Sequence, residues 1–181
     1  MTKIIISIII LVTCVTAFSS PVPNTSLVDQ DGTKFQLHDL KGSYVLLSFI
    51  FTRCPKKEMC PLTIQLSKQA QREWAEKYPK KKIVSLAITL DPEFDTPEVL
   101  KNYGKGFNIN SKSFRLATGN PQSIEDFASE FNVVAFPSEG TLSHNLKTIL
   151  ISPEMNELKQ FKDNEWAPKD VLTSLPKVTG E

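Results

Sequence analysis

Histidine and cysteine are scarce in this chain, two of the first and three of the second among 181 residues, so any metal or sulfur chemistry rests on a handful of side chains. An excess of one charge sign is also missing: 21 basic residues face 20 acidic ones, and nothing points to nucleic acid or to an anionic membrane as a partner. There is no Gly-rich phosphate loop, no H-E-x-x-H and no G-x-S-x-G, which leaves nucleotide hydrolysis, zinc proteolysis and serine-hydrolase chemistry without support. Internal repeats and low-complexity segments are absent as well. With 40% hydrophobic and 23% charged residues, the length suits one globular domain with one core.

What is present begins with an export signal. Met1-Thr2-Lys3 is followed by uncharged residues from Ile4 to Phe18, too short for a comfortable membrane span and in the lysine-then-apolar order of a secretory signal. Ala17 and Ser19 are small residues where a signal peptidase reads, so residues 1–19 are expected to be a signal peptide. A retained anchor, or a lipoprotein signal at Leu11-Val12-Thr13-Cys14, is the alternative, and either would tether the chain to a membrane. Cleavage or lipidation leaves Cys54 and Cys60 as an even pair of free cysteines in an exported protein, where a disulfide is permitted.

Those two cysteines sit in Phe49-Ile50-Phe51-Thr52-Arg53-Cys54-Pro55-Lys56-Lys57-Glu58-Met59-Cys60-Pro61-Leu62. The apolar run Tyr44 to Phe51 reads as a buried strand, and Pro61 as the first helical position with Cys60 at the N-cap. Both thiols then flank a strand-to-helix turn. The unpaired N–H groups of a helix start stabilise a thiolate, and Arg53 is expected to act the same way on Cys54. Positions six apart in a continuous helix lie about 120° from eclipsed, so the sulfurs converge only if Cys54 to Met59 is a loop. Thiolates are nucleophiles and soft-metal ligands alike, and a structural disulfide, redox chemistry and metal binding all remain open.

Around this centre the expected order is an N-terminal hairpin of Thr25 to Val28 and Lys34 to Leu37 across Asp31-Gly32, with His38 in a surface turn. The Cys54 strand follows, then a helix from Pro61 to Tyr78 with Leu62, Leu66, Ala70 and Trp74 on one stripe, and a parallel strand from Ile83 to Leu90. A helix over Val99 to Lys105 is capped by Thr96 with Pro97, or by Asp95 with Glu98 as a capping box. The remaining expectations are a strand at Phe114 to Ala117, a helix at Pro121 to Glu130 and a strand at Asn132 to Ala135. A final antiparallel pair of Thr141 to Ile151 with Leu158 to Phe161 precedes a helix at Lys169 to Leu175.

This is the element order of an α/β, thioredoxin-like fold: an N-terminal β-hairpin and a central mixed sheet flanked by helices, occupying residues 20–181. Three motifs sharpen it. Phe51-Thr52-Arg53-Cys54-Pro55 with Cys60-Pro61-Leu62, then Asp91-Pro92-Glu93-Phe94-Asp95-Thr96-Pro97-Glu98-Val99-Leu100, then Ser143-His144 ahead of Thr148-Ile149-Leu150-Ile151, resemble the Sco/SenC family of copper chaperones for cytochrome oxidase assembly. The likeness runs from about Leu27 to Phe161.

The resemblance implies that Cys54, Cys60 and His144 bind a copper ion and that Asp91 and Asp95 are supporting acids, stabilising the fold or assisting the chemistry. It also implies a periplasmic or periplasm-facing location and, as partner, the copper-bearing subunit of cytochrome c oxidase or another copper protein. Thiolates select Cu(I), and imidazole suits both copper states. The chain departs from the family in two places. Its C-x-x-x-x-x-C spacing is two residues longer than the commoner C-x-x-x-C, and Ser143 stands where many members carry Asp, which predicts a less basic and less well oriented imidazole. The competing function is a thiol:disulfide oxidoreductase with Cys54 as nucleophile and Cys60 as resolving thiol; only the copper function needs His144.

Overall fold

The computed structural model describes residues 20–138 and 140–175. The expected signal segment and Cys14 lie outside them. Seven strands form one sheet in the order β2-β1-β5-β4-β3-β8-β9. Its centre is β3 (Tyr44–Ile50), flanked by β4 (Ile83–Thr89) in parallel and β8 (Lys147–Ile151) in antiparallel register. Helix α1 (Cys60–Lys77) makes the crossover from β3 to β4, and α2 (Pro97–Gly106) makes the next, from β4 to the parallel strand β5 (Phe114–Thr118). The N-terminal hairpin, β1 (Ser26–Asp29) and β2 (Lys34–Gln36), adds to the β5 edge, and β9 (Glu157–Lys162) closes the other.

Alternation along β3 divides the core. Val45, Leu47 and Phe49 face α3 (Pro121–Glu130), where Phe49 stacks on Phe127 and Phe131 at ring centroid distances of 6.1 and 5.9 Å. Leu46 and Ile50 face α1, α2 and the short C-terminal helix α4 (Pro168–Leu172). Each fully buried Leu, Ile or Phe contributes about 1.5–3 kcal/mol, so this two-sided strand anchors the molecule. The loop that leaves it holds the first cysteine.

The structure redraws several expected boundaries. Strand β3 ends at Ile50, and α1 starts at Cys60 with Met59 as N-cap, one residue earlier than proline placement alone suggested. The His38 turn is a 3-10 helix, Leu37–Leu40, and α4 ends at Leu172 rather than Leu175. Thr96, not Asp95, caps α2, its side chain accepting from the Val99 amide at 3.3 Å.

Two larger corrections concern the region around His144. Asn132 does not open a strand; it adopts φ 54° and ends α3, and the Val133 amide bonds back to the Ala128 carbonyl at 3.0 Å in a left-handed C-cap. The expected strand from Thr141 to Ile151 is broken at Asn145-Leu146. Its first part, β7 (Thr141–His144), pairs only with β6 (Ala135–Ser138) as a separate hairpin, while β8 stays in the main sheet. The break is enforced by the Asn145 side chain, which accepts from the Val134 amide and donates to the Asn132 carbonyl, both at 2.9 Å.

Candidate metal and thiol site

Cys60 is the first residue of α1 and fully buried, wedged among Ile50, Phe51, Ile64 and Leu100. His144, last residue of the β6–β7 hairpin, reaches it from 84 positions along the chain: its Nε2 lies 3.5 Å from Cys60 Sγ, and the contact is buried. The Phe51 ring meets the imidazole edge-on, centroids 5.6 Å apart. The Asn145 carbonyl lies 3.0 Å from Nδ1. A carbonyl only accepts, so Nδ1 carries the proton and the Nε2 lone pair points at sulfur. The imidazole that the absence of an acid at Ser143 predicted to be poorly oriented is held by a backbone carbonyl instead. Burial pushes the His144 pKa down, which favours the neutral form a metal requires.

Cys54 sits half-buried in the loop between β3 and α1 and is hydrogen-bonded to Cys60. That bond, reinforced by the backbone N–H groups of Cys60 and Lys56, brings the Cys54 thiol down to about 6. The same bond, followed by burial, pushes Cys60 up. The pair is therefore one half-buried thiolate beside one fully buried thiol that shares its proton. The helix start contributes as expected, through the Cys60 amide. Arg53 does not: its guanidinium turns to Asp91, Nη2 to Oδ2 at 2.6 Å, and covers the exposed Phe94 ring at 4.1 Å.

The two supporting acids have different tasks. Asp95 is fully buried, and its carboxylate accepts from the Thr52 amide at 3.0 Å and from the hydroxyls of Thr52 and Thr89. It thereby ties the end of β3, two residues before Cys54, to the end of β4. The Asp91 carboxylate, 12% exposed, pairs with the more exposed Arg53 guanidinium. Neither carboxylate is drawn to the sulfurs.

The far stem of the loop has its own clamp. Asn164, between β9 and α4, donates to the carbonyls of Glu58 at 3.0 Å and Met59 at 2.9 Å, and its Oδ1 accepts from Thr63 at 2.9 Å. The stretch between the clamps, Pro55 to Glu58, is exposed. Nothing in the sequence singles out Asn164; Thr52 at least stands inside the cysteine motif. His38 is no part of the site: its ring bonds the Val22 carbonyl at 2.9 Å and pins the N-terminal segment. Among the described residues no group of three or more His, Cys, Asp or Glu side chains is already arranged to hold a metal ion, so Cys54, Cys60 and His144 make two contacts rather than a closed three-ligand site.

A mixed sheet with a βαβ unit that ends its first strand in a cysteine loop, and a thiol pair at the following helix start, define a thioredoxin-like protein of the thiol or metal-handling kind. The chain belongs to the SCO1/SenC family, whose model matches residues 20–180. An SCO2-like protein of Rickettsia felis is 34% identical over 156 residues, 82% of this chain and 72% of its own length. Among solved structures, Arabidopsis thaliana ScoI with copper bound superposes with TM-score 0.72 at 27% identity, covering 87% of this chain and 94% of that one. BsSco, a member of the Sco family of cytochrome c oxidase assembly proteins in which a disulfide switch was identified, gives TM-score 0.71 at 26% identity over 87% of this chain and 94% of its own.

Proposed function

We propose that this chain binds copper as cargo through Cys54, Cys60 and His144 and passes it to the copper-bearing subunit of cytochrome c oxidase during assembly, acting as an exported protein on the periplasmic side. The observation that carries the reading is the buried 3.5 Å approach of His144 Nε2 to Cys60 Sγ across 84 residues, with the Nε2 lone pair free. A thiol exchanger has no need of it. The donor set fits the ion: two sulfurs select Cu(I), and the imidazole serves either copper state. Closing the site asks that Cys54, half-buried and already in contact with Cys60, also come within reach of the His144 side. Three ligands leave an ion open to capture by an acceptor. The copper-bound plant relative supports the same reading.

A second function is supported by one specific observation, the split of the thiols into a low-pKa, half-buried Cys54 and a protonated, fully buried Cys60, the arrangement of a nucleophile with its resolving partner. It would make the chain a thiol:disulfide oxidoreductase that keeps partner cysteines reduced. Copper stoichiometry on the reduced domain, residues 20–181, separates the two. One copper per chain that is lost when either cysteine is replaced supports the chaperone; no copper at equimolar supply, with intact disulfide exchange, overturns it.

A further inference from the structure

Helix α2 buries a stripe formed by Leu100, Tyr103, Gly104 and Phe107 at i, i+3, i+4 and i+7. Gly104 lets the helix approach β5 so closely that a Cβ there would stand 3.1 Å from Leu116. That approach carries Tyr103 into the cluster of Cys60, Ile64, Phe51 and Cys54, where Phe107 stacks behind its ring at a centroid distance of 5.0 Å. The Tyr103 hydroxyl is buried and has no hydrogen-bond partner. Buried tyrosine hydroxyls are normally satisfied.

Three acceptors come into question: the Asp95 carboxylate and the two sulfurs. Asp95 is already occupied by Thr52 and Thr89. Burial first, and then the two cysteines and Asp95, oppose ionisation of the phenol, so the hydroxyl stays a donor. Of the two sulfurs, Cys60 is the one fully buried in the cluster that Tyr103 packs against. With both thiols free, the Cys60 proton is shared with Cys54 and the sulfur attracts no strong donor.

We propose that Tyr103 is a positioning residue of this site, whose O–H donates to the Cys60 sulfur once that sulfur has lost its proton to a metal ion or to an exchange reaction. The metal branch rests on the copper reading above; the exchange branch does not. A hydrogen bond to an ionised sulfur is of the stronger, charge-assisted kind, and it holds that sulfur toward His144.

The test is Tyr103→Phe, which keeps the ring and removes only an unpartnered hydroxyl, so the melting temperature should hold or rise. Cu(I) affinity, read by competition with a chromogenic chelator, should fall about tenfold, as when a group supporting a ligand is lost. The metal-free arm starts from Cys54 carrying thionitrobenzoate as a mixed disulfide. The Cys60 thiolate attacks the Cys54 sulfur, the Cys54–Cys60 bond forms, the bond to thionitrobenzoate breaks, and the coloured thiolate leaves with both electrons of that bond. Release should slow roughly threefold, because the gain in thiolate is partly offset by its lower nucleophilicity. Affinity and release both within twofold of wild type overturn the proposal. Slowed release in a protein whose wild type takes up no copper upholds Tyr103 and refutes the copper reading. If Tyr103→Phe fails to fold, a fluorotyrosine at position 103, a stronger donor, must speed release, and unchanged release overturns the proposal equally.

Discussion

Asp95→Ala should be among the most damaging single changes to this protein that touch neither sulfur nor imidazole. The carboxylate is fully buried and accepts from one amide and two hydroxyls. Truncation strands three donors, each costing about 1–3 kcal/mol when unsatisfied. Thr52 is only half-buried and recovers water on relaxation, whereas Thr89 is sealed, so the total is about 3–5 kcal/mol. Against a typical total stability of roughly 5–15 kcal/mol that is severe, and it lowers the melting temperature by roughly 6–20 °C. Asp95→Asn keeps the shape and one acceptor oxygen, and the hydroxyls can turn to accept from its amide, so the loss shrinks to about 1–2 kcal/mol. Asp91→Ala removes an ion pair whose arginine side chain is 48% exposed and should cost under about 1 kcal/mol. Urea unfolding of the three variants, followed by tryptophan fluorescence, ranks them. The reasoning is refuted if Asp95→Ala is no less stable than Asp91→Ala.

Four further outcomes are expected. His144→Ala should weaken copper binding by at least about tenfold, more for Cu(II) than for Cu(I), while the Cys54–Cys60 disulfide still forms; unchanged affinity for both copper states would remove the three-ligand model, and His38→Ala serves as the control. Mild oxidation should consume both thiols of the residue 20–181 domain within one molecule and abolish copper uptake, and two titratable thiols remaining would contradict it. Cys54 alkylation should be slow below pH 6 and level off above it, since the reactive thiolate is the form present above a pKa of about 6, with Cys60 unmodified throughout; an inflection near the ordinary thiol value would count against the hydrogen bond from Cys60. Asn164→Ala frees the exposed Glu58 carbonyl and takes one partner each from the Met59 carbonyl and Thr63, which still bond each other, and should cost about 0.5–1.5 kcal/mol in unfolding experiments, most of it lost from the loop stem.

Sequence patterns carried the βαβ unit well because local signals agreed there: an apolar run into Cys54, a proline at the helix start and a stripe ending before Pro79. The same holds for the Asp31-Gly32 hairpin, where Gly32 takes φ 79°. They failed at Thr141 to Ile151 for a physical reason. Leu142, His144, Leu146, Thr148 and Leu150 alternate without interruption, and the break comes from Asn145 reaching Asn132 and Val134, bonds that no window of neighbours contains. The three proposed ligands were nameable because the motifs around Cys54, Cys60 and His144 resemble those of the Sco/SenC family, which binds copper through two cysteines and a histidine; the residues alone left disulfide, redox and metal chemistry open. Asp91 and Asp95 were not separable, since four residues apart in one acidic motif says nothing about which one faces Thr89. Asn164 and Tyr103 were invisible for the same reason: an asparagine after a strand and a tyrosine on a helical stripe are ordinary until the fold places them.

The two clamps on the cysteine loop bear on how such a motif can change over generations. Asp95 fixes the chain at Thr52, Arg53 pairs with Asp91 beside it, and Asn164 fixes it again at Glu58 and Met59, so Pro55 to Lys57 form an exposed span between two held stems. Residues gained or lost inside that span leave both footings where they are. Because closing a loop costs only about 0.6 kcal/mol more for each doubling of its length, two added residues are nearly silent thermodynamically. Spacing between the cysteines can therefore change at little cost to the fold, while Cys60 and its histidine stay in register.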